Sequence, residues 1–430
     1  MPIHKEKITG FLERLSVNLD SEQLEKRLAP KHGEFKPRLR HSKTLDKNSI
    51  EKHWKILREQ TDLTEEDQAI LADGDSLEQI EAYSKNIENC IGTIKLPLGI
   101  AGPLRINGLF AQGDYYLPLA TTEAALVASY ARGSQLITDA GGCTTVILNE
   151  GITRSPGFIF KNLFEASQFA LWANSQFDIF KQVAEATTRF GKLVDVRTTV
   201  EGNHVYLNFD YYTGDASGQN MATIASAAIL EHIKQNTPIQ PKYSFVEANL
   251  SGDKKASALS YLSVRGKKVS AEVRLEKTLV KRYLHTSPET MVEYWRMAAL
   301  GGVMSGSIGT QAHYANGLTA LYIATGQDVA CVSESSIGVT RLELTEEKDL
   351  YAAVTLPNIV VGTVGGGTKL PSQSVGLKLL GLQGAGKVHA LAEVCAACCL
   401  AGELSIMGAL CAGDFTSAHE RLARGSKNTK

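Results

Sequence analysis

The chain runs Val205-Tyr206-Leu207-Asn208-Phe209 and then, after a short glycine-containing link, Met221-Ala222-Thr223-Ile224-Ala225-Ser226-Ala227-Ala228-Ile229-Leu230-Glu231-His232-Ile233. The first stretch is short and apolar, as in a β-strand, whereas the second is rich in alanine and long enough for an α-helix. Stretches of both kinds alternate along the whole chain from Ile91 onward, and glycine is frequent there. The sequence therefore predicts an α+β or α/β fold, and 430 residues predict more than one domain.

Charge density falls near residue 86, since residues 1–86 hold 32 of the 91 charged residues. This first part has apolar residues at helical spacing and a helix start at Thr64, and we expect a helical N-terminal domain over 1–86. The spaced apolar residues are Ile8, Leu12, Leu15 and Leu19.

The remaining chain divides again, because residues 156–246 contain a helix-like run, a strand pair and a second helix, as in a compact inserted domain. We expect residues 87–155 and 247–430 to form one large domain around it. Further helices are expected over Pro288 to Leu300 and Val388 to Leu410, and the small residues of the latter suit close helix packing.

The composition excludes several classes of protein. Lys and Arg number 45 against 46 Asp and Glu, so nothing attracts the chain to nucleic acid or to an anionic membrane. We find no apolar signal core at the N-terminus and no uninterrupted membrane-spanning stretch. The seven cysteines match no zinc-ligand spacing, and we expect no metal site and buried, unpaired thiols in a reducing, cytoplasmic setting.

Glycine-rich loops are the first candidates for ligand binding. The chain contains neither a GxGxxG motif after a strand nor a GxxxxGK[ST] motif, so a Rossmann or P-loop nucleotide site lacks support. The run Gly362-Thr363-Val364-Gly365-Gly366-Gly367-Thr368 has a backbone that a ligand could approach closely. A tight turn between packed elements would explain the same run.

Four ionisable residues stand out as candidates for catalysis. Glu123 and Asp328 are lone acids at apolar stretches, Lys254 lies in a polar loop, and His419 follows the long alanine-rich helix. Each alone is more often a cap, a surface pair or a surface histidine. Together in one cleft they would supply a cation for a developing alkoxide, acids that relay its proton, and an imidazole for a leaving group.

Several longer motifs give these residues a common context. They are Glu88-Asn89-Cys90-Ile91-Gly92, Pro97 to Leu104, Ala120-Thr121-Thr122-Glu123, Asp253-Lys254-Lys255, Gly326-Gln327-Asp328 and Gly362 to Thr368. In the same order they resemble the catalytic domain of 3-hydroxy-3-methylglutaryl-CoA (HMG-CoA) reductases, in the soluble form of the eukaryotic and archaeal class. The resemblance covers most of residues 86–427.

That resemblance implies two successive reductions of an acyl-CoA thioester by NADPH, giving an alcohol and free CoA. It implies that Lys254 stabilises the oxygen that gains negative charge and that Glu123 supplies the proton. Asp328 would orient that pair, Asn316 would be a further partner of the lysine, and His419 would protonate the CoA thiolate.

The resemblance also implies a cofactor site. Thr188 and Arg189 align with the segment that meets the 2′-phosphate of NADPH, which favours NADPH over NADH. A second element, Asp215 to Met221, and the glycine run would add further contacts. The implied cofactor-binding residues are Thr188, Arg189, Asp215, Gly218, Asn220, Gly365 and Gly366.

For the acyl-CoA, the resemblance implies a substrate-binding set of Arg154, Lys255, Asp253, Asn316, Ser129 and Arg132. Some positions depart from the family: Glu247 stands near an expected serine and Met297 near an expected lysine, which would weaken the hold on a free carboxylate. On the CoA side, Ala131 and His285 also depart. A drifted HMG-CoA reductase, a reductase of another acyl thioester, and a silent scaffold homologue therefore remain open.

The resemblance implies an architecture and an assembly as well. We expect a helical N-terminal domain, a large α/β domain and an inserted small, ferredoxin-like cofactor domain. The expected assembly is a homodimer or a dimer of dimers with active sites at the subunit interface. The Met1 start favours a naturally soluble enzyme over a catalytic fragment.

Overall fold

The computed structural model of this chain describes residues 21–33, 36–37, 45–263 and 265–413. The helix expected over Ile8 to Leu19 and the candidate His419 lie outside these residues. The chain divides into two compact units, residues 1–78 with 88–93 and residues 79–87 with 94–430. Residues 156–246 are not set apart in this division, and the three-domain scheme stays a prediction.

The first unit is helical in its described part. Its helices are α1 (Ser21–Leu28), α2 (Lys47–Gln60), α3 (Glu65–Leu71) and α4 (Gly74–Glu78). The predicted helix start at Thr64 is confirmed, because its hydroxyl accepts the N–H of Asp67 at 3.2 Å. The indole of Trp54 donates to the carbonyl of Ile91 at 2.7 Å, which ties residues 88–93 to α2.

The second unit is a mixed α/β structure, which confirms the predicted fold class. Its strands are β1 (Leu98–Gly108), β2 (Gln112–Ala120), β3 (Cys143–Arg154), β4 (Gly157–Ile159), β5 (Lys192–Glu201), β6 (His204–Tyr212), β7 (Tyr243–Phe245), β8 (Gly266–Leu275), β9 (Gly309–Thr310), β10 (Gly338–Leu344) and β11 (Leu350–Ile359). Its α-helices are α5 (Leu126–Asp139), α6 (Leu163–Ser175), α7 (Phe177–Glu185), α8 (Gln219–Asn236), α9 (Lys277–Leu284), α10 (Pro288–Ser305), α11 (Tyr314–Thr325), α12 (Val332–Ser335), α13 (Pro371–Leu379) and α14 (Val388–Ala412).

The strands form one connected sheet in the order β7-β4-β6-β3-β8-β11-β10-β9. Off this path, β1 pairs with β3, β2 pairs with β1, and β5 pairs with β6. Strand β3 links its two halves, because Thr144 to Gly151 pair with β8 while Ile152 to Arg154 pair with β6. Arg154 therefore lies where the chain leaves the larger half for the smaller one.

The smaller half contains the strand and the helix quoted first. Its four strands are antiparallel neighbours in the order β7-β4-β6-β5, and α6, α7 and α8 connect them. Buried aromatic rings fill its core, with the centroids of Phe158 and Phe169 4.8 Å apart and those of Phe180 and Phe209 5.9 Å apart.

Helix α14 forms the centre of the larger half, and nearly all its side chains are buried. It packs closely on α5, since a Cβ on Gly133 would overlap the carbonyl of Ala401. In the described residues it is long and apolar enough to cross a membrane by length and composition, but 83% of its most apolar window is buried inside the protein. Burial in the core accounts for its apolar composition.

Candidate active site

Lys254 and Asp328 form an ion pair, with 2.8 Å between Nζ and Oδ2. The lysine lies in the loop after β7 with a φ of 55°, a strained conformation for a residue other than glycine. The hydrogen bond with Asp328 raises the pKa of Lys254, so the ammonium stays charged through neutral pH. The aspartate follows the C-terminus of α11, where Gly326 ends the helix with a φ of 71°.

These two side chains face a cavity of about 780 Å³, here called the glycine-loop cavity. Gly365 and Gly366 line it with φ values of 73° and 50°, a backbone region that favours glycine, and a Cβ there would meet no other atom. Gly218 and Asn220 line it from the N-terminus of α8. An open glycine backbone, a helix N-terminus and a lysine are groups that accommodate an anionic ligand.

Three predicted cofactor residues do not line this cavity. The carboxylate of Asp215 accepts the backbone N–H groups of Gly386 at 2.8 Å and Val388 at 3.3 Å, which anchors the start of α14. Thr188 accepts the N–H of Gly191 at 3.2 Å, and the Arg189 side chain is exposed. Their loop neighbours the cavity residue Met221, because a Cβ on Gly191 would meet the Met221 side chain.

Glu123 lies in a second cavity of about 660 Å³, here called the long-helix cavity because residues of α14 line it. The amide of Asn316 donates to Glu123 Oε2 at 2.8 Å, whereas the resemblance implied Asn316 as a partner of Lys254. Glu123 and Asn316 also line a smaller cavity of about 340 Å³, which shares Ile323 with the glycine-loop cavity. Among the described residues, the catalytic candidates thus form two groups, Lys254 with Asp328 and Glu123 with its partner Asn316.

Glu123, a lone acid at an apolar stretch of sequence, is not buried with that stretch. Residues 122–124 are exposed, and burial resumes only at Leu126, where α5 begins after a turn with a φ of 68° at Ala125. Asp328 is likewise exposed, at 42% of its side chain. The apolar flanks of both acids pack inward while the turns that carry the acids face outward.

Ser129 and Arg132 line the long-helix cavity from α5 and are both held by Ser405 of α14. The hydroxyls of Ser129 and Ser405 are 2.9 Å apart, and Arg132 donates to the Ser405 hydroxyl at 3.1 Å and its carbonyl at 2.7 Å. This places the two implied CoA contacts in the same cavity as Glu123.

Arg154 is buried among acids at the end of β3. Its guanidinium contacts Glu247 at 3.3 Å and Asp253 at 2.9 Å, and its side chain is 8% exposed. Lys255 is exposed and donates to the Asp253 carbonyl at 2.8 Å. Glu247, which departs from the expected serine, therefore competes for Arg154, because it contacts the guanidinium that is expected to bind the acyl carboxylate.

Two residues that the sequence analysis missed extend this cluster. Arg265 donates to Asp253 and, at 2.7 Å, to Glu334, whose side chain is 0% exposed. Burial raises the pKa of Glu334 despite the opposing charge of Arg265. For Asp253, burial is outweighed by Arg265 and Arg154, which lower its pKa. The available signal was a lone acid, Glu334, in an otherwise small and apolar stretch.

Gln327 is a further supporting residue, because its side-chain oxygen accepts the N–H of Gly362 at 2.8 Å and fixes the start of the glycine run. Among the described residues, no group of three or more His, Cys, Asp or Glu side chains is arranged to hold a metal ion. The seven cysteines are all unpaired, and six are buried, which confirms the expected thiols.

The sequence of this chain matches a known protein family. The profile described as hydroxymethylglutaryl-coenzyme A reductase matches residues 49–424. The chain belongs to the HMG-CoA reductase family. A curated 3-hydroxy-3-methylglutaryl-coenzyme A reductase of Pyrococcus abyssi is 42% identical over 357 residues, 81% of this chain and 87% of the relative. One from Methanothermobacter thermautotrophicus is 44% identical over 354 residues, 81% of this chain and 88% of the relative.

The family fold also agrees with a solved structure. A class II HMG-CoA reductase from Streptococcus pneumoniae, determined with NADPH in open conformations, aligns with a TM-score of 0.62. The alignment covers 84% of this chain and 96% of that one at 20% identity, so this likeness concerns the fold alone.

Proposed function

We propose that this protein is an NADPH-dependent oxidoreductase that reduces HMG-CoA to mevalonate and releases CoA. Membership of the HMG-CoA reductase family, with relatives above 40% identity over four-fifths of the chain, supports this activity. The single structural observation that carries it is the Lys254–Asp328 ion pair facing the glycine-loop cavity. The alternatives of another acyl thioester or a silent scaffold are not favoured.

The glycine-loop cavity is the proposed site of NADPH, which supplies the hydride when bound. The open backbone at Gly365 and Gly366 and the N-terminus of α8 at Gly218 and Asn220 fit a flat, phosphate-bearing ligand. Arg189, in the loop that neighbours Met221, is exposed and would pair with the 2′-phosphate. Thr188 would fix the turn that carries Arg189. Asp215 would support the site indirectly, by anchoring the start of α14.

We propose the catalytic roles that the resemblance implies, and the contacts of Lys254 and Glu123 support theirs. Lys254, held charged by Asp328, stabilises the substrate oxygen as it becomes negative. Glu123 gives the proton to that oxygen, and the Asn316 amide stabilises the carboxylate that remains. His419 protonates the departing CoA thiolate. Arg154, Asp253 and Lys255 would bind the acyl end, while Ser129 and Arg132 would bind CoA.

We further propose that the site is completed between two copies of the chain, as a homodimer or a dimer of dimers. Glu123 and Lys254 line different cavities within one chain, which supports a second copy as the source of the missing partner. Exposed apolar residues of β1, opposite the end of β2 that precedes Glu123, support an interface, since Leu98 is 56% exposed and Ile100 53%.

We also propose a separate cofactor domain within the second unit and a cytoplasmic location. The antiparallel strand order β7-β4-β6-β5 with its connecting helices supports a ferredoxin-like cofactor domain over residues 156–246. The unpaired thiols support a reducing, cytoplasmic location.

Two assays test the proposal. HMG-CoA should cause oxidation of NADPH with mevalonate as product, and its failure with pure enzyme would refute the activity. For the shared site, Glu123→Ala and Lys254→Ala homodimers should each be nearly inactive, yet subunit exchange between them should restore roughly a quarter of the wild-type rate, since about half the dimers carry one intact site. Verified heterodimers without activity would place the whole site in one chain.

A further inference from the structure

Glu403 is a buried carboxylate in the middle of α14, with a side chain 1% exposed. It accepts the backbone N–H groups of Ala312 at 2.8 Å and His313 at 2.9 Å and the hydroxyl of Thr340 at 2.8 Å. A charged carboxylate only accepts hydrogen bonds, so these donors fix the segment that precedes α11 in one position.

The ring of His313 contacts the same carboxylate, with Nδ1 3.3 Å from Glu403 Oε1. Because the carboxylate accepts, Nδ1 carries the hydrogen, and in the neutral ring Nε2 then holds a lone pair. The ring also stacks on Tyr130, with centroids 5.6 Å apart and planes at 24°. Within the described residues, no group hydrogen-bonds Nε2.

His313 lines the long-helix cavity, and its side chain is 15% exposed. Glu123, Asn316 and Ser129 line the same cavity. His313 therefore shares a cavity with the proposed proton donor and the proposed CoA contacts, and its ring carries an acceptor for a ligand N–H.

We propose that His313 Nε2 binds the CoA arm of the substrate by accepting a hydrogen bond from the amide N–H two carbons from the sulfur. This inference rests on the proposed function. On the CoA side, that amide is the hydrogen-bond donor nearest the thioester, whose sulfur and carbonyl have no hydrogen to donate. The contact holds the thioester carbonyl beside Glu123, and Glu403 sets the ring tautomer that makes it possible.

Two small thioesters of the same acyl group test this contact. The N-acetylcysteamine thioester keeps the amide, whereas the butyl thioester lacks it. In wild-type enzyme the first should have a kcat/KM roughly fivefold to tenfold higher, the effect of one neutral hydrogen bond. In His313→Phe this ratio should fall close to one, because phenylalanine keeps the ring stacking but has no acceptor.

The variant is expected to fold, since Glu403 keeps three other donors. If it does not, His313→Leu serves for the same ratio. His389→Phe is a matched control, because His389 also contacts a glutamate, at 3.1 Å from Glu150, and stacks on Phe110, but lies outside the cavity. The control should keep the wild-type ratio.

A preference for the amide that persists in His313→Phe, or a wild-type enzyme with no such preference, would overturn the inference. An equal loss with both thioesters would mean that His313 only supports the fold, and would overturn it too. Failure of the proposed function is separate, because wild-type enzyme would then reduce neither HMG-CoA nor either thioester.

Discussion

Glu247 competes with the substrate carboxylate for Arg154, so replacing it should tighten the binding of HMG-CoA. In Glu247→Ser the 3.3 Å contact to the guanidinium is lost and the 2.9 Å contact to Asp253 remains. A charge-assisted hydrogen bond contributes roughly 1.5–3 kcal/mol, an upper bound of about ten- to hundredfold. Because Glu247 is 23% exposed and Asp253 still neutralises the arginine, we expect the KM for HMG-CoA to fall about fivefold to tenfold.

Initial rates of NADPH oxidation measure this change against a thioester without the free carboxylate, 3-hydroxy-3-methylbutyryl-CoA. Its KM should stay unchanged, which separates an effect on Arg154 from a general change in the loop. Glu343→Ser is a matched control, since Glu343 also lies 3.3 Å from an arginine, Arg341, but both are exposed. An unchanged KM for HMG-CoA, or an equal fall for both thioesters, would refute the reasoning.

Three further outcomes are expected. Asp328→Asn removes the contact that raises the pKa of Lys254, so the alkaline limb of the kcat/KM profile against pH should move to lower pH. An unmoved limb would mean that this limb does not report the titration of Lys254. Arg189→Ala should raise the KM for NADPH roughly ten- to hundredfold with little change for NADH, and equal losses would make the arginine structural. Glu393→Ala leaves the three N–H groups of residues 109–111 without their carboxylate, at 2.7–3.2 Å in the native protein, and should cost about 2–4 kcal/mol. Thermal unfolding measures that loss, and an unchanged Tm would contradict it.

Local pattern was enough to predict individual elements. The quoted stretch Val205 to Phe209 lies within β6, and Met221 to Ile233 lies within α8. The helix start at Thr64 depends on contacts within four residues, which is why sequence alone could place it. Boundaries differ by a few residues, as in α10, which is expected to end at Leu300 and continues to Ser305 although Val303 and Met304 are exposed.

Long-range partners could not be predicted in the same way. Asp215 reads as a ligand contact within its own glycine-containing motif, yet its carboxylate accepts the N–H of Gly386, 171 residues later. Asp253 meets both Arg154 and Arg265, and only the fold shows that two arginines there face three carboxylates. Spacing along the chain carries no information about such encounters, because each depends on which strands become neighbours in the sheet.

For helix α14, the sequence predicts the helix but not which parts of the site its polar residues hold. Its apolar residues predict a buried helix, and the polar exceptions within it are what organise the active-site region. Glu393 holds residues 109–111, Glu403 holds the start of α11, and Ser405 holds Ser129 and Arg132. A buried carboxylate in an apolar helix requires partners, so the sequence indicates that such anchors exist. Which loops they hold follows only from the fold, and two of these anchors, Glu403 and Ser405, shape the cavity that we propose binds CoA.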